Sequence, residues 1–291
     1  MLTRAIERYT DSLIQGSGGY EAIDGFLGKE DPMLTGHRPG SPVRDESLDR
    51  DDGILDALCR LNGSTLFIQG PPGSGKTTLG GKMIVELMKS GNKIGVASNS
   101  HRAINELLLA TEKSAADMNF RFSGQKKSTA GRPESHFQNP DQDADGGRFI
   151  SNVDAVRDMD VEGNQLIAGT AWLFCNEKLD QKLDYLFIDE AGQVALGNLV
   201  AMGVSSKNIV LIGDQMQLSH PTPGIHPGES GSSTLDYMLT GQDTVSPGKG
   251  IFLDRSYRMH SSICDFISEA VYDGRLKADP DNDNQKIVKG D

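Results

Sequence analysis

The stretch TLFIQGPPGSGKTTLG, Thr65 to Gly80, decides the fold. Five strand-forming residues run into GPPGSGKT, Gly70 to Thr77, which fits G-x-x-x-x-G-K-[ST] and opens a segment of helical spacing. Strand, glycine-rich turn and helix, in that order, are what a phosphate cradle needs. Glycines let the backbone bend so that successive N–H groups and the helix amino terminus face the phosphates. In that cradle Lys76 reaches the β and γ oxygens, and the Thr77 hydroxyl ligates Mg²⁺. The expected nucleotide contacts are therefore Gly70, Pro71, Pro72, Gly73, Ser74, Gly75, Lys76, Thr77 and Thr78.

Working outward, four further apolar runs end in polar or glycine-bearing turns: KIGVAS (Lys93 to Ser98), QLIAGT (Gln165 to Thr170), DYLFID (Asp184 to Asp189) and NIVLIGD (Asn208 to Asp214). Near-continuous hydrophobicity suits strands covered on both faces, hence a parallel sheet. TTLGGKMIVELMKSGN, from Thr77, places Leu79, Met83, Leu87 and Met88 on one helix side, with Gly91 as its stop. Ser100 is a candidate cap for a helix through Ala110. Alternating strands and helices predict a doubly wound α/β domain with its ligand beyond the carboxyl ends of the strands.

Composition sets the limits. The chain has 291 residues, 36% of them hydrophobic and 24% charged, enough for one large or two ordinary globular domains. A formal net charge of −12 excludes a protein that holds nucleic acid by bulk charge, so any such track must be local. Cys59, Cys175 and Cys264 form no C-x-x-C pair, which points to thiols in a reducing, cytoplasmic setting rather than a zinc site or disulfide framework. No run approaches about 18 apolar residues, so neither secretion nor a membrane partner is expected. Residues 1–52 read as an irregular lead-in or linker, 53–250 as the main domain, and about 119–147 as a solvated insertion within it. Its Arg121, Lys126, Lys127 and Arg132 are a minor option for phosphate contact, and a second Pro- and Gly-rich loop follows at Pro221 to Gly231.

Two strand ends carry further chemistry. DYLFIDEAGQ ends in adjacent carboxylates; beside a phosphate loop, Asp189 is expected to hold Mg²⁺ and Glu190 to polarise an attacking water. The pair predicts hydrolysis of a nucleoside triphosphate rather than binding alone. IVLIGDQMQL repeats the geometry with Gly213, Asp214 and Gln217, where a glutamine can sense the γ-phosphate.

GPPGSGKT, VASNSHRAIN (Val96 to Asn105), AGT (Ala168 to Thr170), DEAGQ, GDQMQL and SYRMH (Ser256 to His260) occur in this order from about Leu66 to Leu276. In these strings the sequence resembles the superfamily 1 helicases, of AAA/P-loop type, in the branch that includes 5′-to-3′ RNA-decay and replication-associated motors. GTAWLF, YLFIDEAGQVALGNLVAMG, HPGESG and FISEAVYDGRL resemble more narrowly the helicase half of prokaryotic proteins that fuse a RecB-like nuclease to such a motor.

The resemblance implies a RecA-like P-loop lobe, ATP and Mg²⁺, and an ATP-dependent helicase or translocase in DNA repair or related nucleic-acid processing. It implies that Tyr257 packs on the adenine, that Arg258 contacts the γ-phosphate, and that Gln217 is the sensing glutamine. It also makes Ser100, His101 and Thr170 candidates for contact with a single strand, DNA more than RNA. His101 stands where the branch often has asparagine, Gly192 where it has a hydroxyl or alanine, and Asp45 to Asn62 fit its upstream glutamine motif poorly. A second RecA-like lobe is expected to begin at 251 and to be only started by 291, with any nuclease domain upstream. On that expectation this chain binds nucleotide but hydrolyses little alone. The alternatives are an inactive or regulatory nucleotide-binding module that needs a partner lobe, and a P-loop kinase, which would need an acceptor lid in place of GDQMQL and YRMH.

Overall fold

A computed structural model describes residues 1–140, 149–217 and 228–285. Along the chain run α1 (Leu2–Gln15), α2 (Glu21–Leu27), α3 (Arg50–Arg60), β1 (Thr65–Gln69), α4 (Lys76–Lys89), β2 (Ile94–Ala97) and α5 (His101–Asp117). Next come β3 (Gly124–Lys127), β4 (Ile150–Val153), β5 (Leu166–Gly169), α6 (Ala171–Phe174), β6 (Leu183–Ile188), α7 (Leu196–Gly203) and β7 (Ser206–Gly213). The last are α8 (Thr234–Leu239), β8 (Gly250–Phe252), β9 (Arg255–Ser256), α9 (Ser261–Val271) and β10 (Lys277–Ala278).

Eight described strands form one sheet in the order β4-β3-β5-β2-β6-β7-β1-β8, every neighbouring pair parallel. All five expected strands are in it. Alternate residues feed two cores: Leu66 and Ile68 face α3, α4 and α5, while Phe67 faces the layer of α1, α2, α6, α7 and α8. Coverage on both faces is why these strands read as unbroken apolar runs. Each fully buried Leu, Ile or Phe contributes about 1.5–3 kcal/mol through burial. Ser100 caps α5 as expected, its side chain accepting the Ala103 N–H, but the helix continues to Asp117.

Three expectations need correction. Residues 1–52 are not irregular throughout: α1 buries Ala5 and Tyr9, and α2 buries Ala22, Ile23 and Phe26. Both pack in the core beside α7, and Tyr9 donates to Asp24 Oδ1 at 2.7 Å. Part of the expected insertion belongs to the sheet: it contains β3, Gly124–Lys127. β3 pairs with β5 and β4, and Lys126 is fully buried. Strand β8 straddles the expected boundary at 250 and 251, yet it is bonded to β1 in the same sheet. Residues 141–147 of the insertion, Leu218 of GDQMQL, 221–227 of the second loop and the tail from Lys286 lie outside the described residues.

Candidate active site

The phosphate loop leaves the carboxyl end of β1, and Gly70 N–H donates to Gly213 O at 2.9 Å, tying it to the end of β7. Gly73 and Gly75 sit at φ +78° and +83°, a left-handed conformation that disfavours other residues. A Cβ on Gly70 would fall 2.2 Å from Lys76 Cγ, so this glycine makes room for the lysine stem. The Lys76 ammonium donates to Gly70 O and Pro71 O, folded back across its own loop. Burial lowers its pKa, against the pull of Glu190, Asp214 and Asp189. Among the described residues the buried Ser74 hydroxyl has no hydrogen-bond partner. Half-buried Thr77 opens the first turn of α4, and Thr78 is exposed. An orphaned hydroxyl, a bent glycine backbone and a lysine satisfied only by carbonyls fit a phosphate-bearing ligand.

Asp189 follows β6 directly, its N–H bonded to Ala97 O of β2 at 2.9 Å. It is 5% exposed, and burial, then the Glu190 charge, pushes its carboxyl up to about 7. Such a group is short of positive charge, and Mg²⁺ at this carboxylate with Thr77 suits the donor chemistry. Glu190 adopts φ +54°, a conformation that costs a non-glycine residue roughly 1–2 kcal/mol and turns the chain sharply out of the strand. Glycine at 213 permits this turn: its Cβ would lie 2.9 Å from Ala191 N.

The exit of β7 joins Asp214 and Gln217 to groups that motif spacing did not reveal. Asp214 is buried, and its Oδ2 accepts the Tyr272 hydroxyl at 2.7 Å and the Gln217 amide at 3.4 Å. Gln69, fully buried at the end of β1, donates to Gln215 Oε1 and Asp243 O, both at 2.9 Å, and accepts the Val245 N–H at 2.7 Å. An apolar strand ending in glutamine beside a phosphate loop was the available signal for Gln69. Tyr272 had none, because 58 residues separate it from Asp214. Tyr272→Phe leaves a buried carboxylate one donor short and should destabilise the fold by about 1–3 kcal/mol in chemical denaturation. Unchanged stability would strip that bond of importance.

SYRMH comes back onto the phosphate loop. Tyr257 N–H donates to Gly73 O at 2.8 Å, and a Cβ on Gly73 would strike Arg258 Cβ at 2.5 Å. Arg258 lies close enough to Lys76 to disfavour its charge. Tyr257, 48% exposed, receives a hydrogen bond from Arg50 at 3.1 Å, with the guanidinium 5.8 Å from its ring centre. Arg50 in turn pairs with Asp51 at 2.8 Å, and Asp51 with Lys82 at 3.0 Å. The open cleft beside them, about 550 Å³, is lined by Arg50, Asp51, Lys82, Asp254, Arg255 and Tyr257. Arg50 comes from the segment that fits the upstream glutamine motif poorly. Behind SYRMH, β10 pairs with β9, and Asn282 Nδ2 donates to Ser256 O and Met259 O at 2.8 and 2.9 Å.

Thus Lys76, Asp189, Glu190, Gln217, Tyr257 and Arg258 gather around the ends of β1, β6 and β7. Ser100, His101 and Thr170 do not join them; they lie at the ends of β2 and β5, farther along the same rim. His101 Nδ1 faces the buried Lys126 ammonium at 3.2 Å, and burial depresses the pKa of both, that of Lys126 to about 8.

The AAA domain family model matches residues 56–223, more than half of the chain and every strand from β1 to β7. The chain belongs to the AAA domain family. Among relatives, the DNA replication ATP-dependent helicase/nuclease DNA2 of Gallus gallus is 24% identical over 72% of this chain and 20% of its own length. The DNA-binding protein SMUBP-2 of Mesocricetus auratus is 23% identical over 89% of this chain and 30% of its own. The chain therefore spans about a fifth to a third of the curated relatives it matches. A solved arterivirus nonstructural protein 10 (helicase) with DNA aligns over 75% of this chain and 42% of that one, at 16% identity and a TM-score of 0.48. Among the described residues no helix is long and apolar enough to cross a membrane.

Proposed function

We propose that the chain is an ATP-hydrolysing motor lobe of an ATP-dependent helicase or translocase acting on single-stranded nucleic acid, DNA in preference to RNA. The observation that carries this reading is the meeting of SYRMH with the phosphate loop through Tyr257 N–H and Gly73 O. It sets Tyr257 and Arg258 against the loop that presents Lys76, opposite Asp189 and Glu190. In this reading Thr77 and Asp189 hold Mg²⁺, which when bound draws charge from the phosphate oxygens. Lys76 leaves its two carbonyls for the β and γ oxygens, Glu190 orients and deprotonates water, and Gln217, held at Asp214, reads the γ position. Arg258 supplies positive charge where negative charge grows, and Tyr257 offers its ring to the base.

The name of one relative, an ATP-dependent helicase/nuclease, and that of another, a DNA-binding protein, support the same reading. A second RecA-like lobe, an attached RecB-like nuclease, a role in DNA repair and a cytoplasmic location belong to it as further proposals. ATP turnover by a two-lobed motor that contains residues 1–291, measured with and without single-stranded DNA, tests it: the strand should raise turnover, residues 1–291 alone should bind nucleotide with little turnover, and phosphate transfer to a small acceptor in place of water would overturn it. Arg258→Ala should lower turnover about ten- to a hundredfold, the weight of a charged hydrogen bond, and leave ADP affinity unchanged. Equal turnover would remove Arg258 from the site.

A further inference from the structure

SYRMH meets the phosphate loop with a ring that is held at both ends. At the backbone end, Tyr257 N–H donates to Gly73 O at 2.8 Å. Along one edge the ring lies against the loop's last glycine: a Cβ on Gly75, at φ +83°, would stand 3.8 Å from Tyr257 Cε2. At the far end the Tyr257 hydroxyl accepts from Arg50 Nη1 at 3.1 Å. A tyrosine that is 48% exposed ordinarily samples several rotamers, and fixing it on a ligand costs entropy. Here the ring is set before a ligand arrives, so that cost does not fall on binding.

Arg50 is itself braced. Its Nε and Nη2 lie 2.9 and 2.8 Å from Asp51 Oδ1, which fixes the guanidinium plane and leaves Nη1 for the tyrosine. Lys82, on the helix that the phosphate loop opens, donates to the other oxygen of Asp51 at 3.0 Å. Tyr257, Arg50, Asp51 and Lys82 thus run in series from SYRMH through α3 to α4. Half-exposed ion pairs of this kind add little to stability. What the series does is place one phenol hydroxyl, and only the arginine fork can hold a carboxylate and that hydroxyl together.

The cleft that Tyr257 lines also carries the cations Arg44, Lys82 and Arg255 and the carboxylates Asp52 and Asp254. Adenine offers an amino donor beside ring acceptors, whereas guanine offers a carbonyl acceptor beside ring and amino donors. Long side chains of both charges can meet either pattern, so this lining separates the two bases weakly. A fixed ring rewards stacking area instead, and a two-ring base has the most.

We propose that Arg50 is a positioning residue that pins the Tyr257 ring through its hydroxyl, and that the platform so built selects purine nucleotides by stacking, adenine and guanine alike. The assignment rests on the nucleotide-site reading above and adds to it the residue that sets the ring and the class of base accepted.

Titration of residues 1–291 with the Mg²⁺ complexes of ADP, GDP, UDP and pyrophosphate separates base from phosphate. ADP and GDP should bind within about threefold of one another, and UDP about tenfold more weakly. Arg50→Ala should weaken ADP and GDP about 3- to 10-fold, the worth of one hydrogen bond, and leave pyrophosphate binding unchanged. Tyr257→Phe keeps the ring and deletes the hydroxyl; it should match Arg50→Ala, and the double variant should bind no more weakly than either single one. Full purine affinity in Arg50→Ala, an equal loss for pyrophosphate, or losses that add in the double variant would each overturn the brace. ADP bound more than about tenfold tighter than GDP, or UDP bound as tightly as ADP, would overturn selection by stacking. All of these leave the motor reading standing, whereas failure of pyrophosphate and nucleotides alike to bind would overturn both.

Discussion

Glu190→Gln should slow ATP turnover by about 10²–10⁴-fold, the usual worth of a positioned general base, with little change in Mg²⁺-nucleotide affinity. The separation follows from where the two carboxylates sit. Asp189 ends the strand path, buried and anchored through its N–H to β2, whereas Glu190 is swung out of the strand by its left-handed backbone and is half-buried. The amide keeps the shape and the local turn but cannot accept a proton from water. Single-turnover hydrolysis and nucleotide titration check the two halves independently. A variant that turns over at the parental rate would assign the base elsewhere.

Asp189→Asn should lower Mg²⁺-dependent turnover about 10³-fold, the several kcal/mol that a metal ion supplies, while making the ligand-free protein more stable. The sign follows from linkage. An ordinary aspartate titrates near 3.9, and folding raises this one to about 7. Between those values the folded state holds a proton that the unfolded state has released. Unfolding free energy therefore falls as pH rises through that window and levels off above about 7. Asparagine removes the penalty, so the gain should be absent near pH 4, grow to about 7 and stay constant beyond. Mg²⁺-nucleotide affinity of the parent should weaken as pH drops below about 7, because metal and proton compete for one carboxylate. Thermal melts across pH, with and without Mg²⁺-ADP, follow both effects; an Asp189→Asn variant no more stable at pH 8 would contradict the buried, uncompensated carboxylate.

The legible part of this fold was the part whose burial is two-sided. Five apolar runs mark β1, β2, β5, β6 and β7, and the phosphate loop and acid pair could be placed on them because each follows a strand. β3 is GQKK, which reads as solvated; only the tertiary fold shows Lys126 inside, satisfied by a carbonyl and an imidazole. Leu2, Ala5, Ile6 and Tyr9 have helical spacing, yet the α1 surface they form gains its meaning only from α7. Arg50 and Tyr272 escaped for one reason: a side chain that serves the site through another side chain leaves no local pattern.

The clasp of Asn282 on the SYRMH loop sets a practical limit on shortening the chain. A version cut near Leu276 keeps every strand of the main sheet and should melt much like the parent. It loses β10 and the amide that holds Ser256 O and Met259 O, along with the Gln285 contact to Arg258 O. Such a protein would pass every test of folding while presenting Tyr257 and Arg258 from a slack loop. A crystallisation or display fragment that is to report on nucleotide chemistry must extend through Gln285.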